Sequence, residues 1–118
     1  MPILLKRIYE KPSNQDGFRV LVDRLWPRGM RKNKARIELW LKDAAPSSEL
    51  RRWFNHESSR WEDFKKRYFA ELAQRLEVLA PIVERARKET VTLVFASKEE
   101  RFNNAMALKE YLEQFYEE

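Results

Sequence analysis

The amino-acid sequence predicts an α/β fold: a small three-stranded, mainly parallel sheet flanked by about four helices in a single layered domain. Three observations carry that expectation. Three short segments rich in apolar and β-branched residues, Ile3–Tyr9, Phe18–Trp26 and Thr90–Ala96, end at turn-forming residues. The centre of the second, Val20-Leu21-Val22, and the body of the third are apolar on both faces, as in strands covered on two sides. Between these two lies a long stretch with apolar residues at helical spacing. At 118 residues and 43% hydrophobic composition, the chain has the material for one core.

Each element has its own signal. Ile3–Tyr9 stops at the turn-rich run Lys11–Gly17, and Phe18–Trp26 is closed by Pro27 and Gly29. Ile37–Leu41 is apolar but short, and suits a helical turn or an extended segment equally. Pro46, Ser47 and Glu49 start a short helix that runs to about Phe54. Ser59 and Glu62 form a capping-box pattern. The helix it predicts carries Trp61, Phe64, Tyr68, Leu72, Leu76 and Leu79 on one stripe about five turns long. Pro81 then restarts a short helix. Ser97 and Glu100 repeat the capping-box pattern before a last helix with Phe102, Met106, Leu108, Leu112 and Phe115. The second and third strands are separated by helices, so a parallel crossover joins them. The first strand can be a hairpin partner or parallel. Its connector is short for a crossover, yet long enough to run back along a six-residue strand.

Composition removes several function classes. With no cysteine there is no disulfide, iron–sulfur cluster or thiol nucleophile, which fits a reducing, cytoplasmic setting. His56 is the one histidine, so a multi-histidine metal site is excluded, and no metal or cofactor is expected. Gly17 and Gly29 are the two glycines, too few for a phosphate loop or a dinucleotide fingerprint. No apolar run approaches the ~20 residues of a membrane span, and Met1-Pro2-Ile3 opens a strand, not a signal peptide. The net charge is +5, but residues 1–37 hold ten Lys/Arg against three acids, a local +7. Such a concentration attracts phosphorylated ligands or polyanions, or serves only as a solvated surface.

In an open parallel sheet, ligands bind beyond the carboxyl ends of the strands. That rule selects Asp23–Gly29 after the second strand and Ser97-Lys98 with Asn103-Asn104 after the third. Arg24 and Arg28 suit bidentate grip of a phosphate, and Trp26 offers a ring to stack on. Asp23 is an orienting or acid–base carboxylate. Placed between cations it would have a lowered pKa. Ser97, Lys98 and Asn103 face this group from a strand-to-helix junction, where backbone N–H groups favour an anion. Each has a plainer role: Ser97 as a helix cap, Asp23 and Arg24 as a local ion pair, Trp26 as core, and Arg31–Arg36 as a solvated loop. His56, in a loop between helices, is an acid–base group only as the minority reading.

The uninterrupted run Asp16-Gly17-Phe18-Arg19-Val20-Leu21-Val22-Asp23-Arg24-Leu25-Trp26-Pro27-Arg28-Gly29 resembles the YeaO-like branch of the bacterial domain-of-unknown-function 488 family. Ala45-Pro46-Ser47-x-x-Leu50-Arg51, Trp53-Phe54-x-His56, Arg67-Tyr68-x-x-Glu71-Leu72 and Asn103-x-Ala105 extend the likeness over nearly the whole chain. The resemblance implies a bacterial cytosolic α/β protein with a parallel first strand, and it supplies no activity. It also implies that longer relatives carry a Cys-x-Glu and a Cys-His-Arg group after the last strand. Here those places hold Phe95, Ser97, Asn103, Asn104 and Ala105. Chemistry that needs those groups cannot operate in this chain.

Two functions remain in view. The first is an enzyme or binding protein for a small phosphorylated or nucleotide-like ligand, with Arg24, Trp26, Arg28, Ser97, Lys98 and Asn103 as its contacts. Asp23 would be its catalytic carboxylate, at a glycosidic or phosphate-ester bond. The second is a nucleic-acid-binding module that uses the basic amino-terminal third. A membrane is excluded as a partner, and the oligomeric state is not encoded in any pattern.

Overall fold

The computed structural model describes residues 2–116. Its strands are β1 (Ile3–Arg7), β2 (Phe18–Leu21), β3 (Leu39–Trp40) and β4 (Val91–Phe95). Its helices are α1 (Lys32–Ala35), α2 (Ser48–Phe54), α3 (Trp61–Ala73), α4 (Leu76–Ala86) and α5 (Asn104–Tyr116). The sheet has four strands in the order β1-β4-β2-β3, and every pairing is parallel. The expectation of three strands is therefore one short. β3 is the undecided segment Ile37–Leu41, and it is extended because the outer edge of β2 supplies its partner. Glu38 and Leu41 N–H groups donate to the Arg19 and Leu21 carbonyls at 3.0 and 2.8 Å.

The two faces of the sheet are covered differently. Val20, Val22, Leu93 and Phe95 point into the main core with Phe64, Tyr68 and Leu72 of α3, Leu79, Ile82 and Val83 of α4, and Leu108 and Leu112 of α5. Leu21, Val94 and Ile8 point the other way, onto Ala35, Trp26, Met30, Ile37 and Trp40. That second layer is made of connecting segments, the four-residue α1 and Trp40 of β3.

The connector from β1 to β2 contains no α-helix, only the turn Asn14–Asp16. A buried ionic cluster fixes it instead. Asp16 accepts from Lys6 Nζ at 2.9 Å, from Arg19 Nη1 at 2.7 Å and from the Ser13 N–H at 3.0 Å. Arg19 also donates to the Ala35 and Arg36 carbonyls, closing the end of α1. Burial alone would raise the pKa of Asp16, but the Ser13 N–H, Lys6 and Arg19 outweigh it and hold the carboxyl below its ordinary value. A lowered folded pKa means stability that is complete above the unfolded value and lost as pH falls through the folded one. Asp16→Asn should thus lower the melting temperature at neutral pH and flatten its decline between about pH 5 and pH 2. Thermal scans across that range check it, and identical slopes for both proteins would contradict it.

Four expected helix boundaries are corrected. The stripe from Trp61 to Leu79 is two helices, because the chain breaks at Gln74-Arg75. There the Arg75 guanidinium donates to the Asp43 and Ala45 carbonyls at 3.0 and 3.1 Å. Pro81 lies inside α4 and does not restart it; lacking an N–H, it leaves the Glu77 carbonyl without its helical donor. Ser59 is no cap: a 3-10 turn, Ser58–Arg60, runs straight into α3. Ser97 does not cap the last helix either, because α5 starts later. Asn103 Oδ1 accepts from the Met106 N–H at 2.8 Å and is the cap.

Candidate functional site

After β2 the chain turns onto the connector-covered face of the sheet, while after β4 it turns toward α5 on the other. Neighbouring strands whose continuations part in this way leave a crevice at their carboxyl ends. It is a cavity of 340 Å³. Its floor and walls come from Asp23–Pro27 after β2, Ala96-Ser97 and Phe102–Asn104 around the start of α5, and Ala45-Pro46, Arg51, Phe54, His56 and Phe64 from the helical layer.

Asp23 is the pin of this arrangement. Its Oδ2 accepts from the Ala96 N–H at 2.8 Å and its Oδ1 from the Asn104 amide at 3.3 Å, tying β2, β4 and α5 together. The Asn104 amide also donates to the Val22 carbonyl, and the Trp40 indole to the Asp23 carbonyl. Burial pushes the Asp23 carboxyl above its ordinary pKa, partly offset by these donors and by the charge of Arg51. The expected lowering by flanking cations is therefore reversed, and the carboxylate contacts are backbone and amide, not Arg24. Through these contacts Asp23 holds the ends of β2 and β4 and the start of α5 together.

Arg24 reaches back over the cavity. One terminal nitrogen donates to the Pro46 carbonyl at 3.4 Å, and its Nε is buried with no partner among the described residues. A buried donor without an acceptor calls for a water, ion or ligand to satisfy it. Arg51 lines the same cavity from α2. It is delivered there by a rigid clamp. Ser47 caps α2 by accepting from the Leu50 N–H, and its N–H and hydroxyl both donate to Glu71 of α3, at 2.9 and 2.6 Å. Tyr68, fully buried, donates its hydroxyl to the Ala44 carbonyl.

The rest is largely aromatic. Phe54 and Phe64 sit 4.5 Å apart, and Trp61 joins Phe64 to Phe102. Trp26 meets Trp40 edge-on at 5.5 Å and donates its indole N–H to the Met30 carbonyl, so it is core on one side and cavity wall on the other. His56 follows Asn55 with φ of 55° and 47°, and Glu57 N–H closes the turn on the Phe54 carbonyl at 2.9 Å. Two successive left-handed residues of this kind cost backbone energy and place the imidazole at the rim.

Of the residues the sequence pointed to, Asp23, Arg24, Trp26, Ser97 and Asn103 line the cavity. Arg28 and Lys98 do not: both are exposed, each one residue beyond a lining residue. Arg28 is displaced because the Pro27–Met30 turn carries it outward, its carbonyl accepting from the Tyr9 hydroxyl at 3.2 Å. Asn104, part of the selected Asn103-Asn104 segment, lines it too, whereas Arg51, Phe54, Phe64 and Phe102 were not expected as contacts. Nothing in the sequence brings α2 and α3 to the end of β4.

A family model described as the inactive DUF488-N3 subclade matches residues 2–118. The chain belongs to that family. Among curated relatives of this DUF488 protein, the uncharacterized protein YeaO of Escherichia coli is 38% identical over 112 residues, covering 95% of this chain and 97% of the relative. The uncharacterized protein Rv3073c of Mycobacterium tuberculosis is 39% identical over 110 residues, covering 93% and 92%. No solved structure matches. The run Asp16–Gly29 divides physically in two. Asp16, Gly17 and Arg19 hold the β1–β2 connector and α1, whereas Asp23, Arg24 and Trp26 build the cavity.

Proposed function

We propose that this DUF488 protein binds a small phosphorylated, nucleotide-like ligand in the cavity between β2 and β4 and does not turn it over. The unpartnered Arg24 Nε, buried in the lining, is the observation that carries the binding half of this reading. With Arg51 it offers guanidinium donors to a phosphate, a geometry matched bidentately. Phe54, Phe64, Phe102 and Trp26 offer ring faces and edges to a planar group. A volume of 340 Å³ is at the small end of ligand cavities, roughly 300–1,000 Å³, and suits one nucleotide unit, not a dinucleotide.

The binding-only half rests on the site's chemistry and on the family description. Both Asp23 oxygens already accept hydrogen bonds, and the Ser97 hydroxyl accepts from the Glu99 N–H at 3.1 Å and donates to no group among the described residues. A nucleophile needs an adjacent base or a lowered pKa. Ser97, Asn103 and Asn104, standing where the longer relatives are expected to carry a glutamate, a thiol and a histidine, all line the cavity. The inactive description of the family fits that loss.

Calorimetric titration with adenosine monophosphate and adenosine tests the reading. The monophosphate should bind at least tenfold tighter than the nucleoside, and Arg24→Ala should remove that advantage, since charged hydrogen bonds contribute about 1.5–3 kcal/mol. Prolonged incubation should leave the nucleotide intact. Equal binding of both compounds, or an Arg24→Ala protein that binds as well as the parent, would overturn it.

A further inference from the structure

The cavity does not end the positively charged surface at this edge of the sheet. β1 lies beside β4 at the sheet edge, so its carboxyl end adjoins the Ser97 side of the cavity. Arg7, the last residue of β1, donates through Nε to the Ser97 carbonyl at 2.9 Å, and its guanidinium carbon lies 5.4 Å from the centroid of the Tyr9 ring. Tyr9 is 48% exposed, and its hydroxyl is held by the Arg28 carbonyl. Arg28 and Lys98, both exposed, each follow directly on a lining residue, Pro27 and Ser97. Of the acids here, Glu10 accepts from the Arg7 N–H at 2.7 Å and Glu99 from the Arg101 and Phe102 N–H groups at 3.0 and 3.2 Å, while Glu100 is exposed beyond Lys98.

An exposed, anchored aromatic ring among guanidinium and ammonium groups is the arrangement that binds single-stranded nucleic acid, with bases on rings and phosphates on cations. The basic run Arg31–Arg36 lacks that interleaving, and although it starts next to the Pro27–Met30 turn its far end lies elsewhere. The end of α1 is tied to Arg19, near the amino end of β2.

Resting on the cavity as a nucleotide site, we infer that its ligand is one unpaired nucleotide of a single-stranded nucleic acid. The adjoining nucleotides cross Tyr9 between Arg7, Arg28 and Lys98. From β2 across β4 to β1 is two strand spacings, about 10 Å. That is the length of about three stacked nucleotides at roughly 3.4 Å each. A tetranucleotide therefore fills both the cavity and the ledge.

The test compares adenosine monophosphate with a 5′-phosphorylated single-stranded tetra-adenylate, by calorimetry, at about 50 mM and about 500 mM salt. The tetranucleotide should bind at least about tenfold tighter at low salt, and lose most of that advantage at high salt. Tyr9→Ala and Arg28→Ala should each weaken the tetranucleotide at least about fivefold and leave the mononucleotide unchanged. Unchanged mononucleotide affinity also shows that the variants are folded. Lys34→Ala should change neither. A tetranucleotide that binds no tighter than the mononucleotide would overturn the ledge and leave the cavity reading standing. So would a tighter tetranucleotide whose affinity falls with Lys34→Ala but not with Tyr9→Ala. If neither compound binds, the cavity reading fails and this inference with it.

Discussion

Gly17→Ala should cost about 3 kcal/mol or more and lower the melting temperature by roughly 10–20 °C. Gly17 has φ of 63° and ψ of −133°, a combination that side chains reject. A Cβ there would also lie 2.1 Å from the Thr90 carbonyl oxygen. That oxygen cannot retreat, because it accepts from the Phe18 N–H at 2.9 Å and so starts the β2–β4 pairing. The neighbouring Asp16 carbonyl is pinned as well, by the Thr92 hydroxyl at 2.6 Å. Gly29 provides the internal comparison. Its φ is 77°, yet no atom lies within 4 Å of an added Cβ. Gly29→Ala should therefore cost only the left-handed preference, about 1–2 kcal/mol. Thermal unfolding of both variants measures the difference. Equal losses would show that the contact at Thr90 carries no weight.

The second large effect separates the two helices that the sequence runs together. Leu72 is fully buried among β-sheet and α4 side chains, whereas Leu76 is 48% exposed at the start of α4. Leu72→Ala should cost about 2–5 kcal/mol, through lost burial and the cavity left behind. Leu76→Ala should stay within about 0.5 kcal/mol of the parent. Denaturant titration resolves both. Comparable losses at the two positions would restore a continuous five-turn stripe and remove the break at Arg75.

How far the fold is legible depends on how local its causes are. β4 and the centre of β2 are legible because burial on both faces leaves an unbroken apolar run. α2 is legible through Ser47, whose cap acts within one turn. β3 is not, because two residues carry no period and become a strand only through Leu21 and Arg19 across the sheet. The Gln74-Arg75 break is set by carbonyls of Asp43 and Ala45, some thirty residues earlier in the chain. Asn103 was legible as a site residue but not as the α5 cap, since Ser97 and Glu99 build their own turn first.

The same division applies to the site. Asp23, Arg24 and Trp26 follow from the strand-end rule, which needs only the order of strands and helices. Arg51 and the phenylalanines reach the cavity through the Ser47–Glu71 clamp and the packing of α3, which no local pattern announces. Arg28 was misplaced for a related reason: the direction of a turn after Pro27 depends on Tyr9 and Met30, residues on either side of it in the fold.

The central claim is that the ligand sits between β2 and β4, and chemical-shift mapping tests it most directly. Adenosine monophosphate titrated into the ¹⁵N-labelled protein should shift the Trp26 indole N–H, the Ala96, Ser97 and Asn104 amides and the Arg24 Nε–H, with little change along Arg31–Arg36. Shifts confined to Arg31–Arg36, or no shift at saturating nucleotide, would contradict the account.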